Sequence, residues 1–249
     1  MEFTYDAALV TLSIAVATLG AFTGLVMTTG IRRIRGMEAA LRIGLGSIGI
    51  GGGIWGMHFI AMLAMIMPVK LDYDVVQTVI SAVIAIVFTA IAFVIVSRNA
   101  FGKWSIPVSA VFLGLGISGM HYIGMFAIRG NAAITYSWLG VAISMLIAVQ
   151  ASAVALWFAF RERGLLDTLL GAIALGLAIA SMHFTAMETT HFMPVAASEP
   201  FVRDVESPRH LAITISIAVY GVCGVAIFVF AALTYARRLA VRRQSRAAG

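Results

Sequence analysis

Charge is what this sequence has least of. Only 11% of its 249 residues are Asp, Glu, Lys or Arg, against 61% hydrophobic, and the mean hydropathy is +1.00. So little charge excludes an ordinary soluble domain and marks a polytopic membrane protein. Cysteine is almost absent. Cys223 stands alone inside an apolar run, which excludes a disulfide framework within one chain. Positive charge is missing from the start, Met1-Glu2-Phe3-Thr4-Tyr5-Asp6, where a cleaved signal peptide would carry it. The net charge of +6 lies in short loops and at the C-terminus. That pattern sets membrane topology and does not suggest nucleic-acid binding. Alternating barrel-type strands are missing too, and lipid does not tolerate open sheet edges, so the spans are helices.

What is present is an all-α integral membrane chain. Seven apolar stretches are long enough for a hydrocarbon core of about 30 Å. They fall at roughly 8–29, 43–67, 75–97, 106–128, 137–160, 168–190 and 211–236. Residues 1–240 form the membrane domain, and 241–249 form a basic tail. One side carries Arg32, Arg33, Arg35, Arg42, Arg98, Lys103, Arg161, Arg163, Arg237, Arg238, Arg242, Arg243 and Arg246; the other has only Lys70, Arg129, Arg203 and Arg209. The positive-inside rule then places the N-terminus outside and the C-terminus in the cytoplasm.

One short stretch is written three times: Met57-His58-Phe59-Ile60-Ala61-Met62, Met120-His121-Tyr122-Ile123-Gly124-Met125 and Met182-His183-Phe184-Thr185-Ala186-Met187. The histidines advance by 63 residues and then by 62. Small, glycine-rich lead-ins precede the copies at 51–56, 114–119 and 176–181. A repeat of this length defines the architecture. Three helix pairs, 1–2, 3–4 and 5–6, begin at Tyr5-Asp6, Tyr73-Asp74 and Tyr136-Ser137, and a seventh helix is left over. Every Met-His copy falls on an even helix, roughly 12–15 Å below the outer surface by helical rise. Three histidines at one depth can converge, and small lead-in residues let the backbones approach.

Each histidine and the second methionine of its copy are four apart, on one helix face. The first methionine lies about 100° around the helix. Thioethers are soft ligands that favour Cu(I), and imidazole suits copper, zinc, iron and nickel. The set His58, His121, His183, Met62, Met125, Met187, Met57, Met120 and Met182 therefore points to copper, as one or two Cu(I) ions. The bland alternative is that the methionines pack and each histidine bonds a neighbouring carbonyl. Threefold recurrence in register weighs against it, because an intramembrane ionisable residue is a functional candidate. His191, Met193, Met65 and Met67 are candidate entry residues or plain outer-loop residues. Glu188 either accepts from an imidazole or marks the polar boundary. Gln150 reads as the most buried polar residue of helix 5, bonded between helices. Cys223 reads as packing.

At these residues the chain resembles the MHYT-domain family of bacterial membrane sensors, from about residue 5 to 240. The family signature is Met-His-Tyr-Thr on alternate helices of a seven-helix domain. Met and His are kept in all three copies here, while the Tyr survives only as Tyr122 and the Thr only as Thr185. The resemblance implies a multi-pass protein of the bacterial inner membrane. It further implies a copper-binding sensor of oxygen, carbon monoxide or nitric oxide, not itself an enzyme. Its implied partners are cytoplasmic GGDEF/EAL domains, a kinase or a regulator. None of these follows helix 7 here, so the chain reads as a stand-alone member or as the sensor portion of a longer protein. Two other functions compete. A copper transporter or channel needs ligands continuing to the inner face, where only Met27 and Met37 lie. A membrane redox or haem-binding protein needs a large pocket.

Reporter fusions after Gly130 and after Arg243 are expected to read opposite sides of the membrane. Agreement between the two would overturn the seven-helix topology.

Overall fold

The structure is a computed structural model that describes residues 4–67, 71–130, 132–160, 164–194 and 208–247. Pro68, Lys70, Arg161, Arg163 and Arg203 lie outside the described residues, as do the side chains of the tail from 241 onward. Among the described residues there are seven long helices: α1 (Ala7–Thr28), α2 (Gly36–Leu63), α3 (Val75–Arg98), α4 (Ser105–Phe126), α5 (Trp138–Phe160), α6 (Leu165–Glu188) and α7 (Pro208–Ala247). All seven are long and apolar enough to cross a membrane.

The helices form a closed ring in which each packs on the next and α6 returns to α1. The even helices also meet one another at the centre, and α7 lies outside the ring against α1 and α2. The glycine lead-ins explain the ring. A Cβ on Gly51 would sit 2.8 Å from the Cα of Ile86; on Gly114, 2.7 Å from the Cα of Val149; on Gly176, 3.0 Å from the Cα of Thr18. In each case the even helix of one repeat lies backbone to backbone against the odd helix of the next. The third contact closes back onto the first repeat, so the bundle has internal three-fold symmetry.

Three small β-ribbons, absent from the sequence reading, close one end. β1 (Thr4–Tyr5) pairs with β2 (Met65–Ile66), β3 (Leu71–Tyr73) with β4 (Ile128–Gly130) and β5 (Ala132–Tyr136) with β6 (Thr190–Pro194), all antiparallel. Each ribbon ties the entry of an odd helix to the exit of its even partner. Three backbone bonds repeat the arrangement: Asp6 N–H to Ala64 O, Asp74 N–H to Ala127 O and Ser137 N–H to Thr189 O. The same three side chains cap the odd helices. Asp6 accepts from the amides of Ala8 and Leu9, Asp74 from Gln77 and Ser137 from Gly140, which satisfies donors that a helix start leaves unpaired.

The ribbons also account for the shortened end of α2, which stops at Leu63 and not at 67 because Met65 and Ile66 pair with β1. Its start lies seven residues earlier than the apolar run, with Glu38 in the first turn, where the helix dipole favours an acid. α7 runs 40 residues without a break, about 60 Å at helical rise and twice the hydrocarbon thickness. The segment at 241–247 is therefore a continuation of α7.

Gly114→Val is expected to lower the melting temperature sharply, because overpacking a backbone contact typically costs about 1–3 kcal/mol. Gly52→Ala, where an added Cβ meets nothing within 4 Å, is the control. It should be neutral or stabilising by up to about 1 kcal/mol through helix propensity. Thermal unfolding of the purified variants in detergent reads both.

Candidate metal centre

Each motif histidine stands five residues short of its helix end: His58 before Leu63, His121 before Phe126, His183 before Glu188. Five residues are about 7.5 Å of helix, so the histidines lie closer to the helix ends than the sequence suggested. The β-ribbons supply the cover above them.

The three histidines converge. His58 Nδ1 is 3.2 Å from His183 Nδ1 and 3.2 Å from His121 Nδ1, and His183 Nδ1 is 3.3 Å from His121 Nδ1. All three residues are wholly buried. The rings meet edge to face, with centroids 5.0–5.1 Å apart. Such a triangle cannot satisfy itself. A neutral imidazole nitrogen either carries a proton and donates, or carries a lone pair and accepts. Those roles cannot alternate around three members, so at least one contact opposes like with like. Three lone pairs directed at one cation remove the conflict. The point equidistant from the nitrogens lies about 1.9 Å from each, close to the roughly 2.0–2.1 Å of a zinc–imidazole bond. The opposite nitrogens, Nε2 of all three residues, have no hydrogen-bond partner among the described residues. The backbone of Gly124 covers one of them: a Cβ there would lie 2.6 Å from His58 Nε2.

The methionines separate into two groups. Met57, Met120 and Met182 belong to the main core with Ile54, Ile117 and Ile179. Met62, Met125 and Met187 gather toward the ribbons with Met65 and Phe192, bordered by Met67, Tyr5 and Tyr73. All six motif methionines are buried. Around them runs an aromatic belt that repeats the three-fold symmetry. Tyr5 meets Phe184 edge to face at 5.3 Å, Tyr73 meets Phe59 at 5.4 Å and Tyr136 meets Tyr122 at 5.5 Å. Phe59, Tyr122 and Phe184 in turn lie against His58, His121 and His183 at 4.8–5.0 Å. Burial pushes the Tyr5 and Tyr136 phenols up to about 12, with the Glu188 charge adding at Tyr5 and Tyr122 adding at Tyr136; burial also raises Tyr73, helped by Asp72. All three therefore stay neutral at physiological pH and form an uncharged collar.

Other sequence candidates sit elsewhere. Glu188 is exposed and touches none of the histidine nitrogens. His191 and Met193 are exposed on β6, while Met65 is buried and Met67 half-buried. Cys223 is buried and packs beside Val219, Val16 and Ile60. Gln150 corrects the sequence reading outright: it is exposed and bonds to nothing among the described residues. A helix apolar all round carries no mark of which face turns inward. Sequence reasoning missed the tyrosine collar as a set, although the recurrent Tyr before each cap was its visible signal.

Fold and site together define a seven-helix, multi-pass membrane protein with a buried three-histidine centre. The family model described as "Bacterial signalling protein N terminal repeat", MHYT, matches residues 51–106 and 114–172. The chain belongs to the MHYT family of bacterial membrane signalling proteins. It is 37% identical over 193 residues to the bifunctional diguanylate cyclase/cyclic di-GMP phosphodiesterase MucR of Pseudomonas aeruginosa, covering 76% of this chain and 28% of that protein. It is 36% identical over 192 residues to the cyclic di-GMP phosphodiesterase NbdA of the same organism, covering 74% of this chain and 24% of NbdA. With the signaling protein YkoW of Bacillus subtilis it shares 28% identity over 199 residues, covering 77% of this chain and 25% of YkoW. The chain thus matches about a quarter of the length of these relatives. No solved structure matches it.

The caps at the ribbon end are pH-sensitive. The amide bond from Gln77, with Arg129 alongside at 3.3 Å, holds the Asp74 carboxyl below its ordinary value; Arg209 at 3.2 Å and the amides of Leu9 and Ala8 do the same for Asp6. A depressed carboxyl contributes stability above its unfolded value of about 3.9 and loses it as pH falls through the folded value. The melting-temperature difference between wild type and Asp74→Ala is therefore expected to hold from pH 8 to pH 5 and to shrink below about pH 4.

Proposed function

We propose that this chain is a membrane sensory domain that binds copper through His58, His121 and His183, with support from the motif methionines, and passes the binding state to the cytoplasm along α2 and α7. The observation that carries the reading is the triangle of three Nδ1 atoms, which neutral imidazoles alone leave unsatisfied. Six buried thioethers within one turn of those histidines in sequence favour a soft ion over a hard one. Copper bound there would supply a redox-capable centre able to ligate oxygen, carbon monoxide or nitric oxide.

The chain's own residues supply the rest. The tyrosine collar and the Met62–Met125–Met187 cluster keep bulk water off the histidines. α2 carries His58 near one end and Glu38 near the other. Glu38 Oε2 lies 2.6 Å from Arg237 Nη2 on α7, and the Arg42 guanidinium stands 4.7 Å over the Phe230 ring of α7 while donating to the Met27 and Thr29 carbonyls at the end of α1. A shift of α2 at the histidines therefore bears on the helix that continues beyond the membrane. The positive-inside pattern puts that end in the cytoplasm. The relatives' names attach cyclic di-GMP synthesis and breakdown to proteins about three times as long as this chain, so we propose a cytoplasmic GGDEF/EAL domain, kinase or regulator as the output partner, with catalysis residing there.

Two observations favour sensing over the alternatives. The core of the arginine-rich half is apolar at its centre, with Leu25, Ala92, Phe93, Leu113 and Leu156, and among the described residues it buries no histidine and one methionine, Met27, which is too few soft ligands for a copper path. Histidine nitrogens 3.2–3.3 Å apart leave no room for a haem between them.

The test is elemental analysis after anaerobic loading with copper and, separately, zinc. Wild type is expected to retain one or two copper ions, the triple His→Ala variant none, and Met125→Leu most of the wild-type content. Gly124→Ala keeps every ligand but crowds the His58 ring, and should lose copper. Equal copper in wild type and triple variant would overturn the site; a preference for zinc would keep it and refute the softness argument.

A further inference from the structure

Gln150 is a long polar side chain near the middle of α5, on the outward face, in a helix that crosses the membrane. Three other polar side chains on outward faces of the spans satisfy themselves. Thr11, Ser181 and Thr214 each donate a hydroxyl to the carbonyl one turn back, at Ala7, Leu177 and His210. The Gln150 amide has two donors and an acceptor and bonds to nothing among the described residues. In hydrocarbon such a group is costly unless another helix supplies its partner.

The internal symmetry shows what that face is built to receive. Thr18, Ile86 and Val149 are equivalent, because each takes the close glycine contact from the preceding even helix. The next residues, Leu19, Val87 and Gln150, are therefore equivalent as well. In the first repeat this position lies under a docked helix: Leu19 packs against the cluster formed with Val219 and Cys223 of α7. α7 occurs once, so the corresponding faces of the second and third repeats stay open. In the second the residue is Val87, apolar and 45% exposed, which suits lipid. In the third it is an amide. Along α5 it stands in an exposed stripe with Ile143, Leu146, Val154 and Trp157, spaced for helix-on-helix packing.

We propose that the Gln150 face of α5 is a homodimer interface within the membrane, with the two Gln150 amides paired across a two-fold axis. A second copy is the occupant because a primary amide is self-complementary: each can donate its N–H to the other's carbonyl oxygen. A two-fold interface presents the same residue to itself, so one glutamine per chain satisfies both. No apolar partner helix and no lipid tail offers that bond.

The experiment reconstitutes the whole chain, labelled at its C-terminus, in lipid vesicles over a range of protein-to-lipid ratios, with self-association read by energy transfer. Wild type is expected to dimerise. Gln150→Leu, on an outward face where it leaves the fold intact, should associate more weakly by roughly tenfold or more, as expected for losing a reciprocal pair of interhelical hydrogen bonds. Gln150→Asn should keep most of the association. In a Cys223→Ala background, Gln150→Cys should form a cross-linked dimer with a short bis-maleimide, and Val87→Cys should not. A wild type that stays monomeric throughout, a Gln150→Leu variant that associates like wild type, or equal cross-linking at Val87→Cys would each overturn the proposal.

Discussion

Three imidazole nitrogens held within 3.3 Å of one another are the constraint from which the rest of this structure follows. To bring them together, three helices must meet at one level of the bundle. That requires glycine at Gly51, Gly114 and Gly176, where a single methyl group would strike the backbone of a neighbouring helix. It also requires each histidine to stand at the same distance from its helix end, which the common five-residue spacing provides. Neutral imidazoles so placed cannot all bond to each other, so the packing is built around a conflict that the proposed cation would resolve.

The ribbon end serves the same constraint. Asp6, Asp74 and Ser137 cap the odd helices with their side chains and hold the exits of the even helices through their own N–H groups. One residue per repeat thereby fixes the axial register of a helix pair, and with it the height of the histidine. The tyrosine before each cap is carried into the collar by the same geometry, edge-on to the aromatic that follows a histidine of the preceding repeat. Capping, register and enclosure thus come from adjacent residues in the chain.

Symmetry ends at α7. Placed against α1 and α2, it turns a three-fold bundle into one with a distinguished side. The link to the centre passes through α2, whose far end meets α7 at Glu38–Arg237 and at Arg42 over Phe230. Of the three histidine-bearing helices, α2 is the one that packs on α7. The relay proposed above would therefore reach α7 through α2, the helix that carries His58.

The sequence by itself determined a great deal. The three Met-His copies at spacings of 63 and 62 are a covalent fact, and hydrophobic length places each on a spanning helix, so the convergence of His58, His121 and His183 was legible. So were the small lead-ins and the family. Tertiary structure alone decided what depends on rotation about a helix axis or on pairing between distant segments. Gln150 read as buried because polar residues in apolar helices usually are. Lipid and protein core are both apolar, so a spanning helix carries almost no amphipathic mark of its inward face, and only packing turned α5 so that Gln150 faces out. The ribbons are two to five residues long, too short for any alternation to register, and they exist because the helix ends bring their strands together. Which imidazole nitrogens meet depended likewise on ring orientations that backbone spacing leaves free.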